Sequence, residues 1–400
     1  MVIGITLKLT KGISPFINGL GQNAIFLYDV ISNIDTVDEV ILINFNTELT
    51  DEDLAAFTYM EGYKLMNWKD CISKIQVLIT LGMMPHEQDI AIFKSNPKNR
   101  LVGYKGGNNM ILSTEDMLFE KKWGQRKGEV QKGIAYPGDR ISYDEIWMVP
   151  QQEYHNRDFF EISYGCRAIS VPFIWSPKFL DWQIEMEKSK NQEFKYLFKD
   201  KEIEKWNVAA IEPNTSILKN MTPILHIMEW GYIHHKELYS RFNITNAMEF
   251  LDNPILITMA TELDIQADKK LVFDKRWNIV TLMADHADMI VSHQWGNPLN
   301  YAYLDVAYMG YPIIHNAYLC QDVGYYYEDF ELKKAGDLMN LVALNHKEDE
   351  QYMQRNRDIL QRYNPINFKV TEQYERLILD LYEEDKTFKG IYNWETNTIS

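Results

Sequence analysis

Short apolar runs alternate along the chain with longer amphipathic stretches. Val2–Leu9, Val40–Phe45, Ile75–Leu81, Arg100–Tyr104, Glu145–Val149 and Ala168–Val171 read as strands bounded by Gly, Pro or Asn. Leu20, Ala24, Leu27 and Ile31 recur at helical spacing, which predicts a helix over Leu20–Asn33. Pro172-Phe173-Ile174-Trp175-Ser176-Pro177 interrupts the pattern, and a charged helical stretch over Lys178–Lys205 follows. A second series then begins at Asn207–Ile211, with further strands expected near Ile255–Met259, Met289–Ser292 and Pro312–His315. The stretch Phe368–Tyr382 carries Val370, Tyr374, Leu377, Ile378 and Leu381 on one stripe. Strands separated by helices imply parallel βαβ units with both sheet faces covered. The expectation is an α/β chain of two Rossmann-like domains facing across a cleft. Their bounds are 1–174 and 175–365, and a terminal helix within 366–400 crosses back to the first domain.

Composition narrows the function. The chain has 400 residues and a formal charge of −16, from 41 Lys+Arg against 57 Asp+Glu. A surface that acidic disfavours non-specific binding to nucleic acid, though it is blind to a local groove. Three cysteines, Cys71, Cys166 and Cys320, lie far apart and outside any Cys-x-x-Cys spacing. They fit a reducing cytosol, not a disulfide scaffold or a cysteine zinc site. No apolar run reaches the length of a membrane span. The reading is a cytoplasmic protein of undetermined oligomeric state.

Three stretches could carry chemistry. In Thr10–Asn23, Gly19 and Gly21 open a helix after the first strand, where backbone can approach an anion. The pattern is neither Gly-x-Gly-x-x-Gly nor a Walker loop. In Glu212-Pro213-Asn214-Thr215-Ser216-Ile217-Leu218-Lys219, Lys219 suits a phosphate, with Asn214 and Ser216 as hydrogen-bonding neighbours. Helix capping by the same polar residues is the competing account. In Val291–Asn316, Asn297-Pro298 predicts a helix start and Gly310 its stop. The amino end of that helix could hold a diphosphate, and Asp305 could accept from ribose hydroxyls. His293, Gln294, Asn297, Trp295, Asn300 and Tyr301 gather in the same stretch as candidate contacts.

Other candidates weigh less. Asp51-Glu52-Asp53 has metal-binding spacing, but capping by Thr50 is simpler. His234-His235 and Asp285-His286-Ala287-Asp288 lack a third ligand at a recognised spacing. Tyr325-Tyr326-Tyr327 could stack on a sugar or base, or simply pack. For a general base, loops at the ends of the first domain's strands offer His86, Glu87, Asp89, Glu115, Asp116 and Asp139. His86 has the best-suited pKa. Lys105 and Asn108 could line an acceptor site, and Lys11, Lys105 and Lys219 are expected to face the cleft.

The run Leu304-Asp305-Val306-Ala307-Tyr308-Met309-Gly310-Tyr311-Pro312-Ile313-Ile314 resembles the signature near the end of GT-B glycosyltransferases. There an acidic residue and a Gly-x-Pro-hydrophobic motif recur. The pattern's second acid, eight positions earlier, is Asn297 here. The Gly19/Gly21 loop resembles the N-domain loop of that fold, and Glu212 to Lys219 resembles the loop whose basic residue binds the donor diphosphate. Nearly the whole chain is similar to a family of bacterial and phage GT-B-like proteins. The resemblance implies a metal-independent glycosyltransferase with no obligatory cofactor, using a UDP- or GDP-sugar donor. Its acceptor would be a saccharide or glycan hydroxyl, or alternatively a hydroxymethylated base of phage DNA in the host cytoplasm. A non-catalytic sugar-nucleotide-binding protein and a sugar-nucleotide epimerase are the further alternatives. Taken together, the residue chemistry and the resemblance put His86, His293 and Asn297 at the expected reacting centre and Gly19, Gly21, Glu212, Asn214, Ser216, Lys219, Gln294, Trp295, Asn300, Tyr301 and Asp305 at the expected donor site.

Overall fold

A computed structural model describes residues 1–11, 19–46, 49–55, 62–83, 85–119, 142–384 and 388–400. The described residues divide into two compact units. One draws on Met1–Met110, Gln131–Ser176 and Arg362–Ser400, the other on Ile111–Val130 and Pro177–Gln361.

The first unit is built on a seven-stranded sheet among the described residues. Its strands are β1 (Val2–Thr6), β2 (Glu39–Asn44), β3 (Leu65–Asn67), β4 (Val77–Thr80), β5 (Arg100–Lys105), β6 (Glu145–Met148) and β7 (Ala168–Ser170). Their order is β3-β2-β1-β4-β5-β6-β7 and every pairing is parallel. Ile3 lies opposite both Val40 and Val77. Residues such as Ile3, Ile5, Ile41, Leu42, Leu78 and Ile79 are fully buried, because helices cover both faces of a parallel sheet. The strand order reverses between β1 and β4, which places a switch point at the carboxyl ends of those two strands.

The chain's last helix, Phe368–Asp380, belongs to this unit. Val370, Tyr374, Leu377 and Ile378 bury its apolar stripe. The Tyr374 hydroxyl donates to the Pro172 carbonyl at 2.9 Å. Arg167 ties the end of the helix down: its guanidinium meets the fully buried Glu145 carboxylate at 2.5 Å, contacts Asp380, and donates to the Phe388 carbonyl at 2.7 Å.

The second unit repeats the theme with six strands among the described residues: β8 (Trp206–Ala210), β9 (Tyr239–Ile244), β10 (Leu271–Phe273), β11 (Met289–Val291), β12 (Ile313–His315) and β13 (Tyr325–Tyr326). The order is β10-β9-β8-β11-β12-β13, again all parallel. Its switch point falls between β8 and β11. Helices Met221–His234 and Leu332–Asn345 pack closely because Gly231 and Gly336 meet at the crossing.

Three local expectations fail. Ile255–Met259 is helical, within Pro254–Thr261, because Asn253 accepts from the Ile255 and Leu256 amides and Pro254 sits in the first turn. The charged helix after Pro177 stops at Lys190, and β3, β9, β10 and β13 escaped notice because they are short or carry polar residues. The helix read from Pro298 begins instead at Tyr301 and ends at Tyr308.

Candidate functional site

The carboxyl ends of β8 and β11 gather the polar residues of the second unit. Glu212 leaves β8 and is 1% exposed. Its Oε1 accepts from the Ser292 hydroxyl and, at 3.2 Å, from the Tyr303 hydroxyl. Its Oε2 is buried with no hydrogen-bonding partner. Burial raises the Glu212 pKa, and the neighbouring Lys219 ammonium opposes that rise. Lys219 in turn is lowered by desolvation, with the Glu212 charge opposing. Its Nζ lies 5.9 Å from the centre of the Tyr303 ring. Lys219 and Glu212 therefore each favour the other's charged form.

The loop between them is shaped by its own side chains. Asn214 takes a left-handed backbone conformation, φ 57°. Its Nδ2 donates to the Thr245 and Asn246 carbonyls at 3.1 and 3.2 Å, while its Oδ1 is buried without a partner. Ser216 donates to Glu115 at 2.9 Å, and the same carboxylate oxygen accepts from the Ile217 amide at 2.7 Å. Glu115, a candidate base in the sequence, thus belongs to the second unit and holds the Glu212–Lys219 loop.

The loop after β11 is locked by Gln294. Its amide and side chain bond to Asn316, and its Oε1 accepts from the Asn297 amide at 2.7 Å. Gly296 supplies the positive φ, 74°, that turns the chain here. These contacts explain why the helix starts late. Asn297 has its amide bonded to Gln294, Pro298 and Leu299 are buried in non-helical backbone, and Asn300 caps the helix by accepting from the Ala302 amide at 3.3 Å. The helix amino end therefore lies at Asn300–Ala302, not at Asn297. Asp305 and Tyr301 are half-buried on this helix. Asn297 Oδ1 is buried and unpartnered.

His293, 2% exposed, shares a hydrogen bond of 2.8 Å between Nδ1 and the Tyr327 hydroxyl. Its Nε2 is buried without a partner, and desolvation lowers its pKa to about 4. Phe330 packs edge-on against the imidazole at 4.5 Å, and Trp295 meets Phe330 at 6.0 Å. Both aromatic side chains are more than half exposed.

In the first unit, Gly19 starts the helix Gly19–Ile31 and Gly21 is buried in its first turn. Lys105 ends β5. Its amine donates to the Tyr164 hydroxyl at 3.0 Å and lies 4.5 and 5.3 Å from the Tyr164 and Tyr143 ring centres. Desolvation lowers its pKa to about 8. Asn108 accepts from Asn156 at 2.9 Å in a buried amide network. His86 is exposed and precedes the helix Glu87–Lys94. Lys11 pairs with Asp53 at 2.7 Å, and Thr50 and Asp53 exchange backbone-to-side-chain bonds, the reciprocal cap at a helix start. Residues 12–18 of the glycine loop and Asp139 lie outside the described residues. His286 packs against Trp277, the rings tilted by 46° with centres 4.3 Å apart, and Asp288 pairs with Lys201 at 2.6 Å. Among the described residues no three His, Cys, Asp or Glu side chains group so as to hold a metal ion.

Sequence reasoning missed Tyr303 and Asn316. The strand and helix patterns around them gave no signal, because their partners lie on other elements.

The chain matches, over residues 3–378, the family described as Protein of unknown function (DUF2827). The chain belongs to that family. No curated protein sequence matches it. Solved structures do resemble it. Anabaena HepE, in complex with UDP and glucose, aligns with a TM-score of 0.52 at 12% identity, covering 94% of this chain and 99% of that one. A glycosyltransferase from Rickettsia africae gives 0.52 at 8% identity over 96% and 99% of the two chains. The sucrose-phosphate synthase of Thermosynechococcus elongatus gives 0.54 at 9% over 95% and 99%. The fold is that of the GT-B glycosyltransferases. No helix among the described residues is long and apolar enough to cross a membrane.

Proposed function

We propose that the protein transfers a sugar from a nucleotide-diphosphate sugar to an acceptor hydroxyl. One observation carries this reading. Glu212 Oε2, Asn214 Oδ1, His293 Nε2 and Asn297 Oδ1 are buried acceptors lacking donors, gathered in loops that also hold the Lys219 ammonium. Native proteins rarely leave such atoms unmet. A ligand rich in hydroxyls that also carries an anion answers both features, and the β8/β11 switch point is where open α/β sheets bind ligands. The likeness of the fold to glycosyltransferases supports the same reading.

In this scheme Lys219 neutralises the diphosphate and Asp305 accepts from the ribose. Glu212, Asn214, Ser216, Gln294, Trp295, Asn300 and Tyr301 complete the donor site. The acceptor oxygen bonds to the anomeric carbon as the bond to the diphosphate breaks. The diphosphate keeps that electron pair, and a base takes the hydroxyl proton. Positioning and charge stabilisation by Lys219 supply the catalysis, and no metal is needed for it. The first unit binds the acceptor, a glycan or saccharide, through Lys105 and Asn108 with His86 as the base, and Gly19 and Gly21 contribute to donor binding.

Calorimetric titration with UDP-, GDP- and ADP-sugars tests the proposal. Binding of at least one, insensitive to EDTA, is expected. A folded sample that binds none of them sinks it.

A further inference from the structure

We propose that His293 accepts a hydrogen bond at Nε2 from a hydroxyl of the donor's sugar, and does not contact the diphosphate. This rests on the nucleotide-sugar reading above and assigns one residue a specificity role within it.

The argument starts from the proton on Tyr327. Its hydroxyl lies 3.1 Å from the Ser292 carbonyl and 2.8 Å from His293 Nδ1. A carbonyl only accepts, so the Tyr327 proton points to Ser292. The phenolic oxygen then accepts from Nδ1–H. The reverse arrangement would leave the tyrosine and carbonyl oxygens facing each other with no proton between them. It would also leave a buried Nε2–H without an acceptor, the rarer and costlier kind of orphan. Tyr327 therefore fixes the tautomer, and Nε2 carries a lone pair.

That lone pair is buried and has no partner. Burial also opposes protonation of the ring. A diphosphate presents only acceptor oxygens at neutral pH, so it has nothing to give Nε2. A sugar hydroxyl does. The surroundings agree: Glu212 Oε2 and Asn297 Oδ1, in the same loops, are also acceptors awaiting donors. Phe330 and Trp295, each more than half exposed, add aromatic surface beside the imidazole, suited to the C–H face of a sugar ring.

Calorimetry on the full chain separates the roles. The probes are UDP, GDP and ADP and their glucose and mannose conjugates. One conjugate is expected to bind more tightly than its bare nucleotide. His293→Ala should weaken that conjugate at least about tenfold and leave the bare nucleotide within about twofold. Equal weakening of both overturns the assignment, as does the absence of any conjugate tighter than its nucleotide. If the wild type binds no nucleotide or conjugate at all, the donor reading itself falls. Imidazole 15N spectra of the wild-type protein need no variant. Nε2 should be unprotonated before the conjugate is added and remain so afterwards. A protonated Nε2 in either state overturns the proposal.

Discussion

Gln294 and Asn316 clasp each other through three hydrogen bonds. The Gln294 amide donates to Asn316 Oδ1 at 2.8 Å, Gln294 Nε2 to the Asn316 carbonyl at 3.1 Å, and Asn316 Nδ2 to the Gln294 carbonyl at 2.9 Å. Both residues are at least 95% buried. The clasp joins the loop leaving β11 to the loop leaving β12, and it holds His293 and Asn297 where they are. Asn316→Ala strands the Gln294 amide and carbonyl in a dry environment. It should cost about 2–4 kcal/mol, read as a lower urea midpoint, and weaken nucleotide-sugar binding as well. A variant with unchanged stability would show that the clasp is replaceable.

In the proposed donor site, Lys219 supplies a cation for the diphosphate. Lys219→Met keeps the stem and removes the charge. Bare nucleoside diphosphate and nucleotide sugar should lose affinity together, by about tenfold to a hundredfold, the worth of one charged hydrogen bond. Calorimetry would show it, and the equal loss contrasts with the unequal one expected at His293. Unchanged affinity for both would remove Lys219 from the donor site.

His315 predicts an acid limit. Its Nε2 lies 2.6 Å from the Val323 carbonyl, and its Nδ1 accepts from the Ala317 amide at 3.1 Å. A neutral ring satisfies both contacts, whereas a second proton would face an N–H donor. Burial lowers the pKa to about 4, below the roughly 6.5 of an unfolded histidine. The folded state thus binds fewer protons. Its advantage is complete above pH ~6.5 and is lost as pH falls to about 4. The loss is roughly 3 kcal/mol for this residue. Unfolding free energies measured from pH 7 to 4 should show it, and His315→Gln should flatten the profile by a similar amount.

Gly336 tests the packing of the second unit. A Cβ there would lie 2.9 Å from the Ile227 carbonyl oxygen and 3.0 Å from the Gly231 nitrogen, both backbone atoms of the facing helix. Backbone cannot rotate away as a side chain can. Gly336→Ala should therefore destabilise by about 1–3 kcal/mol, and a thermal melt would record it. A rise in melting temperature, from the better helix propensity of Ala, would show that the helices can separate.

The alternation of apolar runs and amphipathic stretches determined the class of fold. It located β1, β2, β4 to β8, β11 and β12, and the Glu212–Lys219 loop after β8, because burial on a parallel sheet depends on local composition. The cap at Thr50 was equally legible, since its partner is three residues away. Tertiary structure decided the rest. Asn297-Pro298 has the local chemistry of a helix start, yet Gln294 holds its amide and Asn300 caps instead. Ile255–Met259 has a strand's composition, yet Asn253 and Pro254 start a helix there. The proton position on His293 depends on Tyr327, thirty-four residues away along the chain. Periodicity records which side of an element is dry. Which of several competing partners a polar group bonds to depends on segments remote in sequence, and only the folded chain brings those together.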